Sequence, residues 1–161
     1  MEYSQRRSPS LQNFLAIVLL ATVGVCFAFQ TAVSESFRRS VLSVETANGD
    51  HRIEVEIAET AAQRSLGLQY RRQLRPNSGM LFDFGKVGSV TMWMKNTPLS
   101  LDMLFIDQSG KIVQIEKATK PYSLDFISSK RPVKAVLELP AGTSDRLEIR
   151  AGDFLRHPVF K

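Results

Sequence analysis

Apolar and polar residues alternate with a period of two through much of the chain after residue 40, and this pattern predicts short strands. In residues 52–58, Ile53, Val55 and Ile57 point one way and Arg52, Glu54 and Glu56 the other, so one face packs and one is wet. Residues 41–47 form a second β-branched run. Between the two, Asn48-Gly49-Asp50 predicts a tight hairpin turn, with the Asn-Gly pair supplying positive backbone angles. Further short runs fall at 80–84, 90–94, 101–107, 111–117, 133–139 and 154–160, punctuated by turn-rich stretches at 85–89, 95–98, 108–110 and 140–144. One helical signal interrupts them. Thr60-Ala61-Ala62-Gln63 has the N-cap and N3 residues of a capping box, which predicts a helix of at most two turns stopping at Gly67.

Eight short strands with one or two small helices predict a mainly β domain, a single antiparallel sandwich or barrel. The one long connection is 119–132. A loop of that length is either a lid or binding loop, or a surface excursion whose Tyr122, Leu124, Phe126 and Ile127 cover an open end of the sheets.

The N-terminus follows a different pattern. Arg6 and Arg7 precede an uncharged apolar run of 16 residues, 14–29, that ends in Gln30, Thr31 and Ala32. These are the n-region and h-region of a secretory signal, while 11–33 is also long enough for an uncleaved anchor. Residues 1–33 are therefore expected to be a signal peptide or membrane anchor, 34–40 a linker and 41–161 a single β-rich domain. Location follows: exported, either periplasmic or tethered to the inner membrane. Cys26 makes a poor lipidation site behind Val23, Gly24 and Val25, and Ser8-Pro9-Ser10 breaks a twin-arginine signal.

Composition narrows the chemistry. The only cysteine, Cys26, lies in the apolar run, so the domain has no thiol for disulfides, nucleophilic attack or metal ligation. Arg6 and Arg7 against Glu2 carry +1 of the net charge of +5, leaving +4 on the rest. That surplus is scattered among separate turns, which argues against nucleic acid as a partner. His51 and His157 have no partner at ligand spacing and read as exposed turn residues, so no metal and no cofactor are expected.

The densest constellation of candidate residues is Met92-Trp93-Met94-Lys95-Asn96-Thr97, with Asp102 five residues on. Alternation puts Val90, Met92 and Met94 on one face and Thr91, Trp93 and Lys95 on the other. The sole tryptophan thus sits among polar neighbours, as a platform for a sugar ring or other amphipathic ligand, or as a core or edge residue with Lys95 lying over it. Asp102 shares an apolar row with Leu104 and Ile106, so it must be paired or perturbed, either in a structural ion pair or turn-capping hydrogen bond or as a general acid or base; Lys95, Asn96 and Arg64 are candidate partners. Glu138 is a second such carboxylate. Facing Asp102 across a cleft, it would complete an acid/base pair of the glycosidase kind.

Arg64-x-x-Gly67-Leu68, Gly79-Met80-Leu81-Phe82, Trp93-Met94-Lys95-Asn96-Thr97, Leu101-Asp102-x-x-Phe105, Leu137-Glu138-Leu139 with Ala141-Gly142, and Gly152-Asp153 occur in this order. In order and spacing they resemble the domain of unknown function 192 family over residues 52–160. The resemblance implies a β-rich, jelly-roll-like domain, often behind a signal peptide. It implies no reaction or cofactor, so Arg64, Trp93, Lys95, Asn96 and Asp102 carry over as motif positions only.

Three functions remain open. The first is an envelope binding module for a small molecule, glycan or peptide, with a ligand site at Arg64, Trp93, Lys95, Asn96 and Asp102. The second is an envelope glycan or peptide hydrolase with Asp102 and Glu138 as its catalytic pair. The third is a structural or chaperone-like partner of another envelope protein.

Overall fold

A computed structural model describes residues 36–160. The predicted leader, residues 1–33, lies outside them. The described chain runs β1 (Arg38–Thr46), β2 (Gly49–Ala58), α1 (Ala61–Leu66), β3 (Ser78–Gly88), β4 (Thr91–Met92), β5 (Leu101–Ile106), β6 (Ile112–Glu116), β7 (Ile127–Ser128), β8 (Val133–Pro140), α2 (Thr143–Arg146) and β9 (Phe154–Arg156), then a 3-10 turn at Pro158–Phe160. Among the described residues no helix is long and apolar enough to cross a membrane.

Seven strands form one sheet in the order β6-β5-β8-β3-β2-β1-β9, while β4 and β7 pair separately. Every neighbouring pair in the large sheet is antiparallel except β2 and β3. A parallel pair needs a crossover, and residues 59–77, which contain α1, supply it. The sheet curls until its edge strands approach: Lys111 bridges to Phe154, Ile112 N–H donates to the Asp153 carbonyl at 2.8 Å, and Leu155 N–H to Gly110 at 2.7 Å. The mainly β sandwich or barrel expected from the strand spacing is thus a barrel-like curl of one sheet, mixed at a single pair.

Because side chains alternate across each strand, the curled sheet has two cores. Leu42, Val44, Ile53, Val55, Ile57, Leu81, Leu104, Ile106, Leu137 and Leu139 fill the inside. On the outside, Met80, Phe82, Leu101, Met103, Phe105 and Val136 pack beneath Leu68, Val90 and Met94 from the covering segments. The central strands β5 and β8 are buried on both faces, which explains their near-continuous apolar runs.

Local expectations fare unevenly. Thr60 caps α1 as predicted: its hydroxyl accepts from Gln63 N–H and the Gln63 side chain accepts from Thr60 N–H. The hairpin turn falls one residue earlier than expected, on Ala47 and Asn48, with Thr46 opposite Gly49; the positive φ is on Gly49 and not on an Asn-Gly pair. The run 90–94 pairs only at Thr91–Met92, because the chain then turns through Asn96, held at φ 55°. Its partner β7 and the one-turn α2 went unpredicted. The connection 119–132 is pinned to the covering layer rather than free: Tyr122 N–H donates to Thr97, Met94 N–H to Ser123 and Ser129 N–H to Val90. The histidines are not both exposed, since His157 is buried. Its Nδ1 accepts from Val159 N–H at 3.2 Å, which leaves the ring proton on Nε2 to donate to Ser40 Oγ at 2.9 Å. A ring nitrogen that donates cannot deprotonate Ser40, so this pair is no nucleophile.

Candidate functional site

Beyond β4 the chain runs along the outer layer, and alternation decides what each side chain meets. Met94 is buried in the outer core, whereas Trp93 keeps 44% of its surface exposed and Lys95 stands beside it. The Lys95 ammonium sits 5.1 Å from the Trp93 ring centroid, a cation over an aromatic face. On its other flank Trp93 stacks with Phe126, centroids 6.3 Å apart. Asn96 turns the chain. Its left-handed φ suits asparagine, its carbonyl accepts from Tyr70 N–H, and its amide donates to Gln69 Oε1 at 3.0 Å and Tyr70 Oη at 2.8 Å. Asn96 therefore ties two turns together rather than reaching toward a ligand.

Arg64, in the last turn of α1, is held by two main-chain carbonyls, Glu59 at 2.7 Å and Asp83 at 2.8 Å, and lies 5.5 Å from the Phe84 ring centroid. Both bonds use one terminal nitrogen. No carboxylate among the described residues forms an ion pair with it, so its charge is not neutralised.

Glu138 lies on β8 between Met80 of β3 and Met103 of β5, its cross-strand neighbours on the outer face. Neither offers a hydrogen bond, and among the described residues no donor reaches its carboxyl group. Only 4% of the residue is exposed, and burial pushes its pKa up to about 8. The strand can come this close to β3 because Gly79 has no side chain: a Cβ there would collide with the Glu138 carbonyl. Above Glu138 opens a pocket of about 110 Å³, lined by Arg64, Gly67, Gln69, Trp93, Lys95 and Thr97 among others. It is far smaller than the ~300 Å³ at which pockets for whole drug-sized ligands begin, so it fits one functional group.

Asp102 has the opposite environment. It pairs across with Leu139 and therefore points to the inside of the curl, whereas Glu138 pairs with Met103 and points out. Its Oδ1 accepts from Ala118 N–H at 3.0 Å and its Oδ2 from Ser144 N–H at 2.9 Å. The first bond holds Ala118 at its positive φ of 49°, and the second caps α2, whose own N-cap is Gly142. The expected side-chain partners Lys95, Asn96 and Arg64 are not the ones it has. Nor do Asp102 and Glu138 form an acid/base pair, because the sheet separates them.

Of the sequence-nominated residues, Arg64, Trp93, Lys95 and Glu138 line one pocket, Asn96 braces its wall, and Asp102 belongs to the other core. Phe126 was expected in the 119–132 connection, as part of a lid, binding loop or covering excursion, but was not joined to Trp93. Gln69 was missed and had no signal, since its place depends on the Asn96 turn. A larger groove of about 440 Å³ runs along Arg39, Glu54, Glu56, Arg71 and Arg75. There Arg71 pairs with Glu56 and Arg75 with Glu54, so it leaves less unspent polarity than the pocket at Glu138.

A curled β domain with an outer-face pocket built on a Trp-Met-Lys-Asn-Thr segment defines the class of molecule. Residues 43–157 match the model of domain of unknown function 192, described as "Uncharacterized ACR", and the chain belongs to this family. A protein from Sinorhizobium meliloti 1021 described as a candidate transcription regulator has a similar crystal structure, with a TM-score of 0.74 and 48% identity over 76% of this chain and 96% of that chain. A protein of unknown function from Novosphingobium aromaticivorans DSM 12444 is similar as well, with a TM-score of 0.73 and 28% identity over 78% of this chain and 94% of that one. No curated protein matches.

Proposed function

We propose that this domain is an envelope ligand-binding module whose site is the pocket above Glu138. The observation that carries the reading is convergence: Arg64 from α1, Trp93 and Lys95 from the outer segment and Glu138 from the central strand all line one small pocket. A buried carboxyl group without a partner destabilises a fold, and a site that exchanges partners with a ligand gives it a use. Export is supported by the apolar run 14–29 behind Arg6 and Arg7.

The hydrolase reading loses its motivation with the separation of Asp102 from Glu138. The transcription-regulator description of the Sinorhizobium relative is not carried over. Arg38, Arg71, Arg75 and Arg156 each pair with a carboxylate here, which is not the pattern of a surface kept free for phosphates.

Trp93 is the only tryptophan of the chain, so its fluorescence reports on the site directly. Titration with envelope-derived muropeptides, glycans and peptides should produce a saturable change in Trp93 emission for at least one class. Silence across all three would reject the module. Export is tested separately, by fusing residues 1–40 to a reporter active only outside the cytoplasm.

A further inference from the structure

The geometry points to a ligand that enters this pocket by a carboxylate group carried on an apolar body. This rests on the pocket being the binding site and adds what it binds.

Three observations carry it. The first is charge. The pocket's cations are Arg64 and Lys95, and no carboxylate is paired with either among the described residues. A guanidinium pinned through one nitrogen keeps donors for a carboxylate, the planar anion its fork geometry suits. The second is that a cationic ligand finds its places taken. Lys95 already covers Trp93 and Arg64 already covers Phe84, so the aromatic faces that would attract an ammonium hold the protein's own cations.

The third is the rim. Trp93 and Phe126 stack there, and Leu124 and Tyr122 continue the exposed apolar surface on the same loop. The Tyr122 and Ser123 backbones are bonded to Thr97 and Met94, which fixes this surface beside the pocket. A small pocket with unpaired cations beside an exposed apolar surface selects an anionic head on an apolar body. An acidic sugar, with hydroxyls on most faces, would match the floor and not the rim.

Glu138 completes the floor as a donor. It shares the pocket lining with Arg64 from α1 and Lys95 from the outer segment, neither of which pairs with it, while β3 and β5 present only the uncharged Met80 and Met103. Protonated at neutral pH, its hydroxyl donates a hydrogen bond to the ligand's carboxylate; once ionised, it repels it.

The test uses probes that share one body and differ in charge, read by Trp93 emission in the full chain. N-acetylphenylalanine carries the carboxylate, N-acetylphenylalaninamide is neutral and phenylalaninamide is cationic; glucuronate and inorganic phosphate supply anions without the apolar body. N-acetylphenylalanine should bind at least tenfold more tightly than the other four. Its affinity should fall roughly tenfold from pH 7 to pH 9 in the natural protein and stay level in Glu138→Gln, whose amide still donates. Lys95→Glu, at an exposed position, should weaken it tenfold or more. Equal or tighter binding of the amide, amine, glucuronate or phosphate overturns the carboxylate assignment while leaving the pocket as a binding site. A pH-independent affinity in the natural protein removes Glu138 from the interaction and overturns the floor as drawn. If no probe and no envelope fragment moves Trp93 emission, both this inference and the binding module fall together.

Discussion

Two buried carboxylates one strand apart illustrate how differently the same burial is resolved. Asp102 on β5 faces the inside of the curl and is fully satisfied by two backbone N–H groups. Glu138 on the adjacent β8 faces outward between two methionines and meets no donor among the described residues. Burial alone would rank Asp102 first, since it is the less exposed of the two. Hydrogen-bond accounting reverses the order, because a satisfied carboxylate is a structural joint and an unsatisfied one is a candidate for chemistry.

The largest expected effect breaks the satisfied side of this comparison. Asp102→Ala strands the N–H groups of Ala118 and Ser144 and should cost roughly 3–5 kcal/mol in denaturant unfolding, with ligand-dependent Trp93 emission unchanged in whatever fraction remains folded. A loss under 1 kcal/mol would mean that Asp102 is not a joint.

Glu138 should behave in the opposite sense. Because its pKa rises from 4.5 to about 8 on folding, the folded state holds this proton more tightly than the unfolded chain between those values. Its contribution to stability is full below about pH 4.5 and is lost as the pH rises to 8, with a slope of at most about 1.4 kcal/mol per pH unit. Solvent entering the pocket reduces that slope. Glu138→Gln should therefore stabilise the domain at pH 9, on the order of 2 kcal/mol, and leave it near the natural stability at pH 5. Thermal melts across that range check the sign, and a variant less stable at pH 9 would show that Glu138 has a partner after all.

A smaller effect separates rim from joint. Phe126→Ala removes the stacking partner of Trp93 from an exposed loop and should change stability by less than about 0.5 kcal/mol while shifting Trp93 emission to the red. The smallest lies at the acid end. Desolvation, reinforced by the charge of Arg38, lowers the pKa of His157 from 6.5 against a weaker opposing effect of Asp83. The folded state resists protonating this ring, so stability is full above pH 6.5 and declines gently below it; His157→Gln should flatten that acid limb and leave the alkaline limb to Glu138.

Much of the strand pattern could be read in the sequence because period-two alternation and the Thr60–Gln63 capping box are local signals. Alternation also placed Asp102 in the row of Leu104 and Ile106 and set Trp93 and Lys95 on the face opposite Met94. What local signals could not carry was register. Whether Asp102 and Glu138 share a face depends on Met103 lying opposite Glu138, a pairing decided by the whole sheet. A turn-capping role for Asp102 was among the expectations, but which groups it caps was hidden for a related reason: both are backbone N–H groups, which leave no mark in composition. The helix α2 escaped notice because its N-terminus is satisfied by Asp102 from 42 residues away rather than by a capping side chain of its own.

The closure of the sheet through Lys111 and Phe154 limits how other chains can attach. A β domain commonly recruits a peptide by offering an open strand edge, onto which the newcomer adds as one more strand. Here β9 covers β1 from Ser43 to Glu45, and the stretch of β1 that it leaves uncovered begins with the charged pair Arg38 and Arg39. Charges on an edge discourage both strand addition and runaway self-association. On the binding-module proposal, recognition would therefore fall to side chains rather than main chain, at the outer layer around Trp93.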